Sequence, residues 1–426
     1  MTSLHLEERE LALLRGAEGP AMQLAMTVVE RAARILRAPR LVPITFAHID
    51  SCFYAGEAHV DFARFLVGHE ARLAVPSWTN SGTVSLADPG LRPEVGDAAR
   101  GGGARRLMEL YVALGCKPVW TCAPYQLPGR PQFGDHIVAG ESNAVTFYNS
   151  VIGARTNKYG DYLDVACALI GKAPFAGLHT DAARRGALLI DVAAIAADFR
   201  REDIFYHLLG HYVGRLAGQR VPVIDNLDAG ATEDNLKALS AAAAASGGVE
   251  LWHGVGITPE AQTRDQALDE GDTVETRVVT PDDLLQARAE LSSGRDGLLD
   301  MVALGTPHFS LSEFAALTSI LSRRQVKAGL TVHVSTNRYV KGLAAERGWI
   351  DELETAGVNV AVDTCTYFSP PVRGAKGRVM TNAAKWAYYA PGFLGVEVVF
   401  GSLKECVESA VRGEVWRDPD LWKPIS

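Results

Sequence analysis

The 426-residue sequence has no apolar run as long as the roughly 18 residues that a membrane-spanning helix requires. It begins MTSLHLEERE, without the basic and then apolar segments that a signal peptide would show. These two absences predict a soluble protein that stays in the cytoplasm and does not contact a membrane.

Cysteine is scarce, and the six cysteines, at positions 52, 116, 122, 167, 365 and 406, lack the spacing of a disulfide scaffold. In a reducing compartment such thiols stay free for metal binding or catalysis. Cys167 and Cys406 fall in apolar helical patterns, which predicts buried side chains that neither bind a metal nor take part in catalysis. Cys122 and Cys365 each follow a predicted strand among Thr, Pro and Tyr, so they are the candidate functional thiols.

An excess of positive charge is also missing. The chain has 42 Lys and Arg against 50 Asp and Glu, which gives a net charge of −8. The basic residues form no stripe and do not alternate with aromatic residues, so nothing offers a footprint for a phosphate backbone. This pattern excludes nucleic acid and favours a small-molecule ligand.

What the sequence does contain, in its C-terminal half, is a regular alternation of strands and helices. Short apolar runs at 298–304, 330–334, 358–362 and 396–400 are separated by helical patterns with a period near thirty residues. Such repetition predicts a parallel sheet with helices on its faces, the α/β class. The length of the chain favours two lobes. We place them at residues 1–215 and 216–426.

Residues 121–160 form a long polar stretch that contains many glycines and prolines and also keeps apolar side chains. The apolar content predicts an ordered segment, because a disordered linker carries little such material. Long ordered loops are usually functional, although a purely structural excursion is the alternative.

Polar residues recur where the predicted strands end. His48, Asp50 and Cys52 follow a strand at 41–46, and the runs 305–310 and 363–367 follow strands in the C-terminal half. Because parallel strands end at one edge of a sheet, these tips predict a common crevice in which Cys122 meets Cys365. For His48 and Asp50 an ordinary turn or helix cap is an equal alternative.

Several long motifs then resemble a known family. The runs TCAPYQ, ESNAV, NSVIGARTN, GTPHFSLSEF, DTCTYF and VMTNAAKWAYYAPG, in this order, look like the large-subunit part of the aconitase X family. The resemblance covers nearly the whole chain. It implies an aconitase-like, multi-lobed architecture of parallel βα repeats that lacks the family's swivelling domain.

The resemblance also implies a function. It predicts a hydro-lyase that dehydrates a small anionic hydroxy acid, with an iron–sulfur or iron centre as the Lewis acid. We favour cis-3-hydroxy-L-proline as the substrate, and mevalonate 5-phosphate is the alternative within the family. The missing swivelling domain predicts a separate small subunit as partner, and hence a heteromer.

Site residues follow from matching this chemistry to the motifs. Elimination of water needs an electrophile at the leaving hydroxyl, a base, and cations or amides for the acid group. We assign the metal to Cys122, Cys365 and Cys52. Catalytic roles fall to His48, Ser142 and Lys385, and substrate binding falls to Asp50, Asn143, Asn149, Arg155, His308 and Asn382.

One position departs from the family pattern. Many members resemble Gly-Cys-Pro-His where this chain has Gly305-Thr306-Pro307-His308, so one cluster thiolate is replaced by a hydroxyl. Hydroxyl oxygen is a poor ligand for iron–sulfur centres. Three alternatives follow: Cys52 as the third ligand, a smaller cluster such as [2Fe–2S], or a lone iron ion. We favour a reduced or altered cluster.

Two readings outside this chemistry stay open. In the first, Cys122 or Cys365 is a nucleophile with His308 or His48 as its base, giving a metal-free hydrolase or a proline racemase-like enzyme. In the second, the chain is a non-catalytic subunit. Activity without iron would favour the thiol-dependent enzyme over the hydro-lyase. Any dehydratase activity of the chain would argue against a non-catalytic subunit.

Overall fold

The computed structural model describes residues 4–92, 98–268 and 274–423, and the chain divides into two units. One unit is formed by Met1–Thr83 and Asp97–Arg185, and the other by Val84–Gly96 and Gly186–Ser426. The boundary predicted between residues 215 and 216 falls inside a helix of the second unit. The short segment Val84–Gly96 belongs to the second unit although it lies far from it in sequence, which no local pattern signals.

The first unit combines helices with short strands. Within its described residues, the helices are α1 (Glu8–Leu14), α2 (Pro20–Ile35), α3 (Glu57–Gly68), α4 (Ala98–Ala113), α5 (Ser142–Phe147) and α6 (Leu163–Ile170), and the strands are β1 (Leu41–Pro43), β2 (Phe46–Ile49), β3 (Ser77–Thr79), β4 (Ile137–Ala139) and β5 (Lys172–Pro174). A parallel sheet has the order β3-β2-β4, and β1 pairs with β5 in antiparallel fashion.

The strand predicted at 41–46 is two strands, β1 and β2, in different sheets. His48 therefore lies within β2, whereas Asp50 and Cys52 do follow its end. The interruption at Ile44 and Thr45 separates the two pairings, and a single apolar run in the sequence cannot reveal it.

The stretch 121–160 is ordered and is not a simple loop. It contains β4, α5 and a short π-helical turn at Tyr148–Ile152, which ends at Gly153 with φ of 76°. β4 is only three residues long, and all three residues are buried. So short a run carries no periodicity that would distinguish a strand from a loop.

The second unit is built mainly on two parallel sheets. Its described residues form the helices α7 (Asp203–Ala217), α8 (Glu233–Gly247), α9 (Arg264–Ala267), α10 (Pro281–Glu290), α11 (Leu311–Leu321), α12 (Arg338–Ala345), α13 (Trp349–Thr355), α14 (Ala384–Leu394) and α15 (Leu403–Arg412), and the strands β6 (Leu188–Asp191), β7 (Pro222–Asp225), β8 (His253–Gly254), β9 (Glu275–Val278), β10 (Met301–Leu304), β11 (Thr331–Thr336), β12 (Val358–Val362), β13 (Arg378–Thr381) and β14 (Glu397–Phe400).

The larger sheet has the order β12-β11-β10-β13-β14, and all of its pairings are parallel. It confirms the predicted α/β repetition and the four predicted strands, but β13 was missed because a basic, glycine-containing segment precedes it. After β10 the chain adds strands on one side and then returns to the other side at β13. The direction in which strands are added thus reverses between β10 and β13. In α/β sheets, a ligand crevice opens at the carboxyl ends of the strands at such a topological switch point.

Two helices of this sheet begin with the predicted capping boxes. The Ser310 side chain accepts a hydrogen bond from the Glu313 backbone N–H at 3.2 Å, and the Glu313 carboxylate accepts one from the Ser310 N–H at 2.7 Å. Ser402 and Glu405 repeat this arrangement at the start of α15. These caps satisfy N–H groups that a helix otherwise leaves unpaired. Among the described residues, no helix is both long and apolar enough to cross a membrane.

The core between this sheet and its helices generates a stability prediction. Leu317 on α11 is 1% exposed within the main apolar cluster of the second unit, whereas Leu298 is 75% exposed. Leu317→Ala should lower the free energy of unfolding by about 2–5 kcal/mol because it removes packed methyl groups and leaves a cavity. Leu298→Ala, the matched control, should change it by less than about 0.5 kcal/mol. Urea denaturation of both variants is the measurement, and equal midpoints would contradict the packing described.

Candidate active site

In the second unit, a buried cysteine lies beside a buried histidine. The Cys365 Sγ is 3.7 Å from the His308 Nε2, and neither side chain is exposed. His308 comes from the turn after β10 and Cys365 from the turn after β12, so the sheet brings together residues that are distant in sequence. A thiolate and an imidazole are ligands that suit iron or zinc. The pair could therefore hold a metal, as the sequence led us to expect for Cys365.

The turn that carries His308 depends on a glycine. Gly305 has φ of 83°, and a Cβ there would lie 2.2 Å from the Ser335 carbonyl oxygen. Any side chain would collide with the backbone of β11, so only glycine permits this close approach. The turn is then fixed by the Phe309 N–H, which donates to the same Ser335 oxygen at 2.9 Å.

Arg92 organises the loop of Cys365, and no motif in the sequence pointed to it. Its buried guanidinium donates to the Cys365 carbonyl at 2.6 Å, the Phe368 carbonyl at 2.6 Å and the Thr364 hydroxyl at 3.2 Å, and it also bonds the Pro370 carbonyl. The planar fork of arginine matches this set of acceptors in a way that lysine cannot. Arg92 thus positions the backbone of the candidate metal ligand.

Asp363 fastens the same segment from the other side. Its carboxylate accepts two hydrogen bonds from Arg338, at 2.7 and 2.8 Å, and further bonds from the N–H groups of Leu86 and Ala87 at 3.0 and 3.2 Å. The residue has φ of 72°, a conformation that Asp tolerates better than most residues. Residues 86–92 are therefore attached to the loop after β12 by charge-assisted bonds at both ends.

Thr306 stands where the family resemblance leads one to expect a thiolate. Its side chain is buried, and within the described part of the chain its hydroxyl oxygen has no hydrogen-bond partner. A buried hydroxyl is normally paired, so an unpaired one fits a site that a bound group completes. The residues of this loop fit a metal held by Cys365 and His308, but they do not supply the third thiolate of a full cluster.

In the first unit, Cys122 is also buried, and Asn143 fixes its backbone. The Asn143 amide nitrogen donates to the Cys122 carbonyl at 2.5 Å, and the amide oxygen accepts from the Tyr125 hydroxyl at 2.6 Å. Both ends of this amide are thus engaged inside the protein. The arrangement makes Asn143 a positioning residue for Cys122, and its predicted role in substrate binding stays a prediction.

Two carboxyl groups meet at the carboxyl end of β2. The Asn80 amide nitrogen bonds the Asp50 carboxylate and lies 3.5 Å from the Glu141 carboxylate. Burial, reinforced by the charge of Glu141, raises the pKa of Asp50 to about 7. A carboxyl group that titrates near neutral pH suits proton transfer. Glu141 was not selected from the sequence, although the Glu-Ser-Asn triplet that contains it stood out.

The neighbours of this carboxyl pair restrict its mobility. The buried Asp164 carboxylate accepts from the Asp50 N–H at 2.6 Å and the Ser51 N–H at 3.0 Å. The His48 Nε2 lies 2.9 Å from the Thr121 carbonyl, and burial lowers the pKa of His48 to about 4 despite that bond. His48 is therefore neutral, and it ties β2 to the residue before Cys122.

Cys52 is placed differently from the other two candidate ligands. Its thiol donates to the Ile49 carbonyl at 3.2 Å and the Asn80 carbonyl at 3.5 Å. Burial raises the pKa of this thiol well above its usual range. Because metals bind the thiolate form, these surroundings favour a buried, protonated Cys52. Its role as a third ligand stays a prediction.

The remaining predicted substrate ligands of the first unit have partners within the protein. The Arg155 guanidinium forms an ion pair with Asp181 at 2.5 Å. The Asn149 amide bonds both backbone groups of Thr156, at 2.8 and 3.0 Å. The Ser142 hydroxyl donates to the Glu141 carboxylate at 3.3 Å. Ser142 thus lies beside the carboxyl pair, whereas Arg155 and Asn149 hold their own segments together.

In the second unit, Lys385 and Asn382 lie around the start of α14. Lys385 is buried near the first turn of that helix. Asn382 follows β13 directly, is 6% exposed, and its side-chain oxygen has no partner among the described residues. An unpaired buried acceptor is available to a ligand, which agrees with a binding role for Asn382.

Comparison with known proteins matches the chain to three consecutive domain families. Residues 3–182 match the aconitase X first domain, residues 186–289 the second domain and residues 299–412 the third domain. The division between the first and second matches coincides with the boundary between the two structural units near Arg185.

Named relatives cover almost all of the chain. Cis-3-hydroxy-L-proline dehydratase of Pseudomonas aeruginosa is 40% identical over 96% of this chain and 70% of its own length, and that of Hypocrea jecorina is 38% identical over 96% and 69%. The phosphomevalonate dehydratase large subunit of Methanocaldococcus jannaschii is 30% identical over 95% of this chain and 100% of its own length. The crystal structure of holo aconitase X from Thermococcus kodakaraensis superimposes with a TM-score of 0.85, at 31% identity, over 96% of this chain and 100% of that one.

The contacts of Arg92 generate a prediction about the loop of Cys365. Arg92→Ala should raise the rate at which a thiol reagent labels Cys365 by at least about tenfold, because the lost bonds, worth about 1.5–3 kcal/mol each, hold that loop closed. Labelling is quantified by peptide mass spectrometry. Arg347→Ala, which removes an exposed guanidinium that donates to the Leu343 carbonyl, is the control and should leave Cys365 protected. Unchanged labelling in Arg92→Ala would show that Arg92 does not hold the loop.

Proposed function

Because the chain belongs to the aconitase X family, we propose that this hydro-lyase removes water from cis-3-hydroxy-L-proline. One observation carries the choice of substrate: the two relatives named for that reaction are 38% and 40% identical to the chain. The relatives named phosphomevalonate dehydratase large subunit are 30–33% identical. Mevalonate 5-phosphate is the second candidate, because several of those large subunits are matched over their whole length.

We propose that Cys365 and His308 hold the metal centre in the second unit, and that Cys122 supplies the second thiolate, as the sequence predicts. Two thiolates and one imidazole are fewer sulfur ligands than a full iron–sulfur cluster uses, which supports a [2Fe–2S] cluster or a lone iron ion. Bound there, such a centre supplies a Lewis acid for the hydroxyl that leaves. Cys52 is the alternative third ligand. Its thiol already donates to two carbonyl groups, which argues against metal binding by Cys52.

The Asp50 and Glu141 carboxyl pair is our candidate for the base that removes the proton from carbon. Asp50 titrates near neutral pH, so a useful fraction is ionised in the cytoplasm and can accept a proton. Asn80 orients both carboxyl groups, and Ser142 donates to Glu141. Neutral His48 keeps the strand end in place. Lys385, Arg155 and Asn149 are the candidates for the acid group of the substrate.

A small swivelling-domain subunit is proposed as the partner of this chain. The chain covers 96–100% of the length of the phosphomevalonate dehydratase large subunits, but only about seven tenths of the hydroxyproline dehydratases. The unmatched part of those enzymes is what a second subunit would supply. Exclusion of water by that part would strengthen the electrostatic contacts around the substrate.

The metal proposal predicts a specific loss of iron. After anaerobic reconstitution with iron and sulfide, Cys365→Ser should hold less than about a tenth of the iron of the parent protein and lose its visible absorption, since oxygen ligands bind such centres poorly. Cys406→Ser, at another buried thiol in the same unit, should retain both. Iron analysis and absorption spectroscopy are the measurements. Equal iron in the two variants would remove Cys365 from the site.

The substrate and partner proposals share one assay. The reconstituted chain with its small subunit should dehydrate cis-3-hydroxy-L-proline with a kcat/KM at least about 100-fold above that for mevalonate 5-phosphate, and the chain alone should be nearly inactive. The opposite preference would favour the second candidate. Full turnover by the chain alone would contradict the partner, and turnover after removal of iron would point to a thiol-dependent enzyme instead.

A further inference from the structure

A second ligand site lies in the second unit, away from Cys365 and His308. It is a cavity of about 690 Å³ lined by residues of α7, α8, α11 and α15 together with Asn382 at the end of β13. Neither Cys365 nor His308 lines it. Its volume is in the range of roughly 300–1,000 Å³ that small-molecule sites occupy. It opens near the switch point of the five-stranded sheet, where this fold class places its ligands.

The charged lining of this cavity is mainly acidic. Glu202, Asp203, Asp234, Glu313, Asp418 and Asp420 line it, whereas Arg201 and Lys404 are its only lining cations among the described residues. Lys404 is already paired with Asp418 at 2.6 Å, and Arg201 pairs with Asp198 and Asp228, outside the cavity. The cavity therefore has more negative charge than its own cations neutralise.

Three of these carboxyl groups show the shortage of cations directly. Buried Lys237 forms ion pairs with both Asp234 and Glu313, so one positive charge is shared by two carboxylates. Asp203 has no ion pair with any described cation, and burial raises its pKa to about 6 in spite of the hydrogen bond from the Ile204 N–H. A partly buried carboxylate without a cation is costly, and a bound cation would remove that cost.

The uncharged groups of the cavity favour a hydrogen-bond donor as the ligand. The Asn382 side-chain oxygen is buried and has no hydrogen-bond partner within the described residues, so this acceptor is unsatisfied. The capping boxes of α8, α11 and α15 use the N–H groups of their N-cap and N3 residues, and the Leu403 N–H in the first turn of α15 donates to the Asp203 carboxylate. An anion would find few donors here, and an N–H cation would find several acceptors.

His207 supplies one complementary donor. Its Nδ1 accepts from the Ala384 N–H at 3.4 Å, and burial lowers its pKa to about 3, so the ring is neutral with its hydrogen on Nε2. A neutral imidazole of this tautomer can donate to a carboxylate or hydroxyl of a ligand without adding charge.

We propose that this cavity binds a small organic ammonium compound, whose N–H groups donate to the Asp203 carboxylate and the Asn382 side-chain oxygen. The ammonium group is the shared chemistry, and its source is either an amino acid or a simple amine. The inference rests on the acidic lining and the unpaired acceptor, and it does not depend on the dehydratase reaction.

Three ring compounds of similar size separate the possible ligand chemistries. L-proline carries both ammonium and carboxylate, pyrrolidine carries only the ammonium, and tetrahydrofuran-2-carboxylate carries only the carboxylate. Titration calorimetry at pH 7.5 should show binding of L-proline or pyrrolidine and none of the third compound. Binding of both amines identifies the ammonium as sufficient, and binding of L-proline alone identifies an amino acid site. Preference for tetrahydrofuran-2-carboxylate, or binding of none, would overturn the proposal.

Site-directed variants test whether the amine binds in this cavity. Asp203→Asn, which keeps an acceptor for the Ile204 N–H, should weaken amine binding at least tenfold, and Ser312→Trp at the exposed rim should block it by filling the cavity. Asp351→Asn, at an exposed carboxylate of α13, is the matched control and should bind as the parent does. Cys365→Ser should also bind normally. Loss of binding in Cys365→Ser together with normal binding in Asp203→Asn would place the amine at the metal centre and overturn the inference.

Discussion

The attachment of residues 86–92 to the loop after β12 is the constraint on which the candidate metal site of the second unit depends. Arg92 satisfies three carbonyl groups and one hydroxyl there, and Asp363 satisfies two N–H groups and the Arg338 guanidinium. Irregular backbone at the end of a strand cannot pair with a sheet, so these charged side chains replace the sheet hydrogen bonds. The Cys365 thiol can then be held beside His308 without help from regular structure.

In the first unit, hydrogen bonds from neighbouring residues hold the carboxyl end of β2 in place. Asp164, Asn80 and Thr121 each bond a group at the end of β2, and they leave Asp50 and Glu141 close together in a poorly hydrated place. Two carboxyl groups in such surroundings resist full ionisation, which shifts the pKa of Asp50 toward neutral. The pKa of the proposed base thus follows from burial and from a like charge.

The strand ends of the second unit offer different surroundings. Arg92 donates to backbone carbonyl groups in the loop after β12. The cavity lined by Asp203 and Asn382 has, among the described residues, one carboxylate without an ion pair and one amide oxygen without a hydrogen-bond partner. Each strand end contributes its own side chains to its own crevice, so one sheet can present different groups to different ligands.

The sequence alone determined the α/β class, the four recognisable strands of the large sheet and the capping boxes after two of them, because periodicity and capping are local properties of the chain. It also selected Cys365 and His308 through their place after strands, and Asn382 through a motif of the family resemblance. The tertiary structure decided what local patterns cannot encode. Arg92 reaches Cys365 across 273 residues of sequence, Glu141 acquires its importance only beside Asp50, and β13 is recognisable as a central strand only through its pairing with β10 and β14. Cys52 matched the same strand-end rule as Cys365, and only its contacts with two carbonyl groups distinguish it. The physical reason is that hydrogen bonding, desolvation and charge depend on the neighbours in space, and the chain brings those neighbours together only when it folds.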